Sequence, residues 1–132
     1  MADQYPGEER RRSSRASVGF IVAYRVNQPL QVNMLVGNSE VQAIMHNLSE
    51  EGMAILTDYN IPVSAVVAAK FILVNDQALN EEDRVNTIEV VGEVRYSRFI
   101  KERSYRLGVQ FTNISDSDRR FISEFIKWAP KK

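Results

Sequence analysis

The sequence contains no cysteine and a single histidine, His46. The first absence excludes a disulfide framework, a thiol nucleophile and any zinc site built on thiolates. The second leaves acid–base or metal chemistry with one imidazole and no recognisable partner for it. Gly-rich phosphate loops, paired metal-ligand motifs and nucleophile elbows are also missing, so the chain is expected to be no enzyme and to hold no metal or cofactor. The run Glu81, Glu82 and Asp83 is a solvated surface by the same reasoning. No apolar stretch approaches the roughly 20 residues a membrane-spanning helix requires. The longest, Val63 to Val74, is interrupted by Lys70 and reads as a buried strand. Met1 to Arg12 is polar and charged, without the apolar core of a secretory signal, and the expected compartment is the cytoplasm. Net charge is lacking too: 17 Lys and Arg balance 17 Asp and Glu. That balance argues against general nucleic-acid affinity, including a nucleic-acid-binding barrel of OB type.

What is present is a 132-residue chain with 44% hydrophobic residues, enough to bury one core. Apolar residues alternate at Val18, Phe20, Val22, Tyr24 and Val26, and again at Tyr105, Leu107, Val109 and Phe111, the pattern of half-buried strands. Further strands are expected near Val32 to Val36, Val41 to His46, Met53 to Thr57, Ala65 to Val74 and Ile88 to Tyr96, separated by Gly, Asn, Asp and Pro signals. Asn75 to Asn86 is polar, acidic and aperiodic and reads as an exposed hairpin loop. Ser115 or Ser117 can cap a closing helix with Asp116 and Asp118 in its first turn and Phe121, Ile122, Phe125 and Ile126 at helical spacing, ending near Trp128 and Pro130. One amphipathic helix after a run of strands should cover an open end of a barrel.

Charge is segregated despite the balance: Arg10, Arg11, Arg12 and Arg15 cluster near the start of the chain. Taken alone, such a cluster is a solvated basic arm, a basophilic kinase site or a patch for anionic lipid. Within it, Arg11-Arg12-Ser13-Ser14-Arg15 reads R-x-x-x-R. About thirty residues on, Asn47-Leu48-Ser49-Glu50-Glu51-Gly52 reads [DN]-x-S-x-x-G. By itself the second segment is a turn, or a glycosylation sequon that the missing signal makes irrelevant.

The two segments in this order, the strands around them and Gly108-Val109-Gln110-Phe111 before a helix together resemble the PilZ family over Arg10 to about Trp128. The resemblance implies a mostly β fold: a six- to seven-stranded antiparallel barrel over residues 17–129, one C-terminal helix, a flexible arm over 1–16 and a tail over 130–132. It also implies a stand-alone, monomeric receptor for cyclic di-GMP that changes conformation on binding and signals to an unidentified protein partner in motility, biofilm or polysaccharide control. Arg11 and Arg15 would grip phosphates and guanine edges, since the guanidinium fork matches both. Arg12 would reach a phosphate, Asn47 and Ser49 the polar edge of a base or a phosphate oxygen, and Gly52 would permit close backbone approach or a positive φ. Arg10 would favour an intercalated ligand pair, and Tyr96 could stack on guanine. Glu50 and Glu51 depart from the family, which commonly has a small residue at the second position. Each could oppose a ligand phosphate by roughly 0.5 to 2 kcal/mol or hold an arm arginine in the free state. The alternative function is an assembly factor of the same fold that binds no nucleotide.

Overall fold

The computed structural model describes residues 16–28, 40–74 and 85–128. Six strands form a closed antiparallel barrel: β1 (Ala16–Gln28), β2 (Val41–Leu48), β3 (Gly52–Thr57), β4 (Val66–Val74), β5 (Val85–Lys101) and β6 (Ser104–Ile114). They are ordered β1-β2-β3-β6-β5-β4, and β1 pairs with both β2 and β4 to close the ring. Closure satisfies the backbone on both sides of each strand and leaves edges only where a strand outruns its neighbour. The helix α1 (Asp116–Trp128) follows.

A ring this small has no lumen, so inward side chains fill it. Val22, Tyr24 and Val26 of β1 are buried, as the alternation requires, and Leu107, Val109 and Phe111 of β6 meet them in one core with Met45, Ile55, Leu73, Ile88 and Val94. Within the described core the Tyr24 and Thr57 hydroxyls form a buried bond of 2.6 Å. Burial pushes the Tyr24 phenol up to about 12, against the opposing effect of that bond. The phenol therefore stays protonated throughout the neutral range.

Ser115 is the helix cap: its hydroxyl accepts the Asp118 amide at 3.1 Å, which satisfies one of the free donors of the first turn. Ile122, Phe125 and Ile126 are buried in the common core, and the Phe125 ring lies 5.6 Å from that of Phe20. The apolar stripe of the helix thus covers one end of the barrel, as its isolation in the sequence requires.

Three expectations are corrected. Val63 to Val74 is not a fully buried strand. Val67, Ala69, Phe71 and Leu73 point inward, but Lys70, Ile72 and Val74 are exposed, because a strand in a closed single-layer barrel has only one buried face. The polar stretch ends earlier than Asn86, since Val85 and Asn86 pair with Val74 and Leu73 and extend the β4–β5 hairpin through main-chain bonds that need no apolar pattern. Likewise β5 runs five residues past Tyr96 to Lys101, with β6 as its strand partner there. The expected strand near Val32 to Val36 and residues 75–84 of the expected loop lie outside the described residues, as does the arm up to Arg15.

Replacing Tyr24 by Phe leaves the buried Thr57 hydroxyl without its partner. The stability measured by urea unfolding is expected to fall by about 1–3 kcal/mol with the barrel retained.

Candidate ligand-binding site

The turn between β2 and β3 is built around one side chain. Ser49 is 1% exposed. Its hydroxyl accepts the amides of Glu51 and Gly52, each at 3.2 Å, and donates to the Gly52 carbonyl at 3.3 Å. A hydroxyl has one donor and two acceptor sites, and the turn uses all three. The Ser49 amide also donates to the Gly52 carbonyl at 2.9 Å. From outside, the Phe111 amide donates to the Glu51 carbonyl at 2.8 Å, and the Arg119 guanidinium of α1 donates to the Glu50 carbonyl at 3.1 Å. The turn is thereby tied to β6 and to the helix.

Of the two uses expected of Gly52, close approach is the one found. A Cβ there would collide with the Val109 carbonyl oxygen and sit 3.3 Å from Gln110 Cα. Gly108 is pressed in the same way, by the ring of Tyr96, which covers its backbone so closely that any side chain would overlap the ring. Asn47 lies in strand β2 rather than in the turn, because its backbone pairs on both sides, with Ser17 and with Ala54.

Register assembles the outer surface. Tyr96 pairs with Gly108, Gly108 with Ala54 and Ala54 with Asn47, giving one row across β5, β6, β3 and β2. Gly108 and Ala54 stand in the middle, both buried, and the Tyr96 ring leans over Gly108, so the row forms a low floor with the ring at one end and Asn47 at the other. A groove of about 220 Å³ lies along part of it, lined by Glu51, Gly52, Ala54, Arg95, Tyr96, Gly108 and Gln110, with Asn47 outside its lining. A larger groove of about 390 Å³, around Arg25, Lys70 and Glu89, contains no residue of either motif and is bordered by the 3.4 Å ion pair of Lys70 with Glu40. Ala16, which follows Arg15 in the chain, pairs with Leu48, and Ser17 pairs with Asn47. The strand that begins after R-x-x-x-R therefore runs beside the second motif.

The far side of the floor is basic. The Arg106 guanidinium meets the Tyr96 hydroxyl at 3.4 Å through Nε and His46 Nδ1 at 3.3 Å through Nη1. Burial, and secondarily the Arg106 charge, hold the His46 imidazole below its usual value. The neutral ring can accept from Arg106, whereas the protonated ring would oppose it. Glu50 and Glu51 make no ion pair with a described residue; Glu51 is exposed at the groove. Arg10, Arg11, Arg12 and Arg15 lie outside the described residues.

The PilZ domain model matches residues 9–128. The chain belongs to the PilZ domain family. Among solved structures it is similar to the Bacillus subtilis inhibitor of motility MotI/DgrA, at a TM-score of 0.65 and 16% identity, covering 89% of this chain and 49% of that one. The PilZ domain of YcgR from Escherichia coli with c-di-GMP is similar at a TM-score of 0.58 and 17% identity, covering 89% of each chain. The K. pneumonia MrkH–c-di-GMP complex is similar at a TM-score of 0.55 and 17% identity, covering 89% of this chain and 51% of that one. The chain thus spans about half the length of MotI/DgrA and of MrkH. Curated protein sequences give no match. At these identities the structural likeness shows a common fold, and the described PilZ barrel contains no helix long and apolar enough to cross a membrane.

Sequence reasoning brought Asn47, Ser49, Gly52 and Tyr96 to this site and missed Gly108, Arg106 and Arg119. A glycine inside an alternating strand signals a close approach and could have flagged Gly108. No local pattern announces the bond from Arg119 to Glu50, which depends on how the helix seats.

Two measurements test this geometry. Gly52→Ala forces β3 and β6 apart and is expected to lower stability by about 1–3 kcal/mol in urea unfolding. His46 has a depressed folded-state value, so the unfolded chain takes up the proton first as pH falls. Its contribution is present above about pH 6.5 and is lost progressively on acidification below that. The thermal midpoint should drop between about pH 7 and pH 5, and His46→Gln should remove part of that slope.

Proposed function

We propose that this PilZ domain is a receptor for cyclic di-GMP, with the nucleotide seated on the floor between Tyr96 and Asn47. The observation that carries the reading is the pairing of β1 with β2: Ala16 opposite Leu48 and Ser17 opposite Asn47. It brings Ala16 and Ser17, the residues that follow the arginine motif, alongside the second motif, which supports a shared site for the two segments. The ligand named for the similar structures of YcgR and MrkH supports the same class. In this proposal Arg11 and Arg15 supply guanidinium forks for phosphate and guanine, Arg12 adds charge for a phosphate, and Arg10 favours an intercalated pair. Asn47 offers its carboxamide to a base edge, and Tyr96 offers a ring face. The Ser49 hydroxyl, saturated within the turn, acts by aiming the backbone of Glu50 to Gly52, and Gly52 keeps that backbone low against β6.

The receptor would act without chemistry of its own. Ligand captures the arginine arm, changes the surface around the groove, and a protein partner in the cytoplasm reads the change in control of motility, biofilm or polysaccharide. A second reading, a monomeric assembly factor that binds no nucleotide, is favoured by one observation: the exposed carboxylate of Glu51 stands at the groove where an anion would lie.

Titration calorimetry with cyclic di-GMP separates the two. Wild-type protein should bind, and Arg15→Ala should weaken binding by about ten- to a hundredfold, the loss of one or more charge-assisted hydrogen bonds. Two nucleotides per chain would support the role given to Arg10, and one would remove it. Failure of the wild type to bind would leave the assembly-factor reading standing.

A further inference from the structure

Arg98 and Arg106 carry charge that the described fold leaves without a counter-ion. They stand directly opposite one another in the β5–β6 ladder, an arrangement of like charges that weakens a sheet. Among the described residues neither meets a carboxylate. Arg106 touches only uncharged acceptors, the Tyr96 hydroxyl and the neutral His46 ring. Arg98 places its guanidinium carbon 5.9 Å from the centre of the Tyr96 ring. The contrast lies three residues away, where Arg95 is paired with Glu93 at 2.9 Å. Glu102, in the turn of the same hairpin, makes no ion pair with either arginine.

The positions are as informative as the charges. Arg106 precedes Gly108 by two residues along β6 and Arg98 follows Tyr96 by two along β5, so both share the outer face of this row. Along β6, Gln110 borders the Ser49–Gly52 turn, Gly108 lies beneath the Tyr96 ring, and Arg106 stands just beyond the lining of the groove on the other side. A flat ligand lying along this row against the Tyr96 side chain would thus have the turn at one side and two guanidinium groups at the other. Both arginines also bracket Tyr96, one above its ring and one at its hydroxyl. Neither arginine belongs to the R-x-x-x-R or N-x-S-x-x-G segment.

We propose that Arg98 and Arg106 form a phosphate subsite of this groove, which receives a phosphodiester of the bound cyclic dinucleotide on the side of the floor away from the Ser49–Gly52 turn. The subsite rests on the reading of the groove as a nucleotide site. Its chemistry is that of two guanidinium forks on an oxyanion, with Tyr96 holding both in place and His46 orienting Arg106. An unneutralised like-charge pair becomes favourable only when an anion enters between its members.

The test is calorimetry with cyclic di-GMP on the full chain, paired with thermal unfolding, for Arg98→Gln, Arg106→Gln and, as a control at the other groove, Lys70→Gln. Each arginine variant is expected to bind at least about tenfold more weakly, while Lys70→Gln stays within about twofold of wild type. Arg98→Gln should keep or raise the thermal midpoint, because removing one of two facing cations relieves repulsion. That combination, affinity lost and stability kept, is one a merely structural residue cannot produce. Arg106→Gln gives up two side-chain bonds, so Arg98→Gln decides if the former unfolds early. Wild-type binding with Arg98→Gln within twofold overturns the subsite alone. A lower midpoint in Arg98→Gln that accounts for its weaker binding also overturns it. Absence of wild-type binding overturns the receptor reading, and the subsite with it.

Discussion

Strand β1 must bond to two neighbours, β2 and β4, for the sheet to close, and most of the molecule follows from that constraint. Without it β2 and β4 would each expose a row of unpaired amides and carbonyls. With it, the register of one strand determines which residues face inward on two others. Val22 and Tyr24 face the core in the register that pairs them with Ala43 and Val41, and a one-residue shift between Ser17 and Phe20 then sets Ala16 beside Leu48. A slip of one residue would turn the inward set outward and carry the residues after the arginine motif away from the second motif. Core packing and site assembly are therefore specified by the same hydrogen-bond ladder.

The outer face of the same sheet is organised on the opposite principle. Inside, bulky side chains fill space; on the floor of the groove Gly108 makes room for the Tyr96 ring, and Gly52 allows β3 to lie against the Val109 carbonyl. The ring of Tyr96 covers the gap that Gly108 opens, which shields that backbone and holds an aromatic face in one orientation. Such a floor buries little and is costly to the sheet, because glycine contributes no packing and the facing arginines repel. The burden is offset by the core beneath it and by α1, whose Arg119 reaches the turn. A local sacrifice of stability beside a well-packed barrel is the usual signature of a binding surface.

The periodic parts of this arrangement were legible in the sequence. Alternation located β1 and β6, the serine and paired aspartates located the start of α1, and the two short motifs located Asn47, Ser49 and Gly52. Alternation failed where ladder pairing extends a strand without an alternating buried face, at Val85 and Asn86 and again from Ser97 to Lys101. It also misled at Val63 to Val74, since a run of apolar side chains looks alike whether one face is buried or both. The groove itself was illegible, because Tyr96, Gly108 and Ala54 come from three strands and meet only through register. The Ser49 hydroxyl shows the limit of motif reasoning from the other direction. The residue type suits a ligand contact and a turn equally well, and only its three local bonds reveal that the turn consumes it.

The balance of 17 cationic and 17 anionic side chains bears less on ligand class than a mean suggests. At physiological ionic strength exposed charges are screened over about 8 Å, so an anion on the floor responds to the side chains around the groove and barely to acidic residues elsewhere on the barrel. Locally the account is Arg98 and Arg106 without a carboxylate partner among the described residues and Arg95 held by Glu93, set against Glu51. Glu51 lies at the turn border and the two arginines at the other, so an extended dianion can place its charge near the arginines while a neutral base edge faces the carboxylate. A compact anion cannot separate its charge in that way. In the proposed receptor the floor would discriminate by the distribution of charge along a ligand rather than by charge alone, so an acidic residue at the groove is compatible with the proposed selection of a dinucleotide over inorganic phosphate.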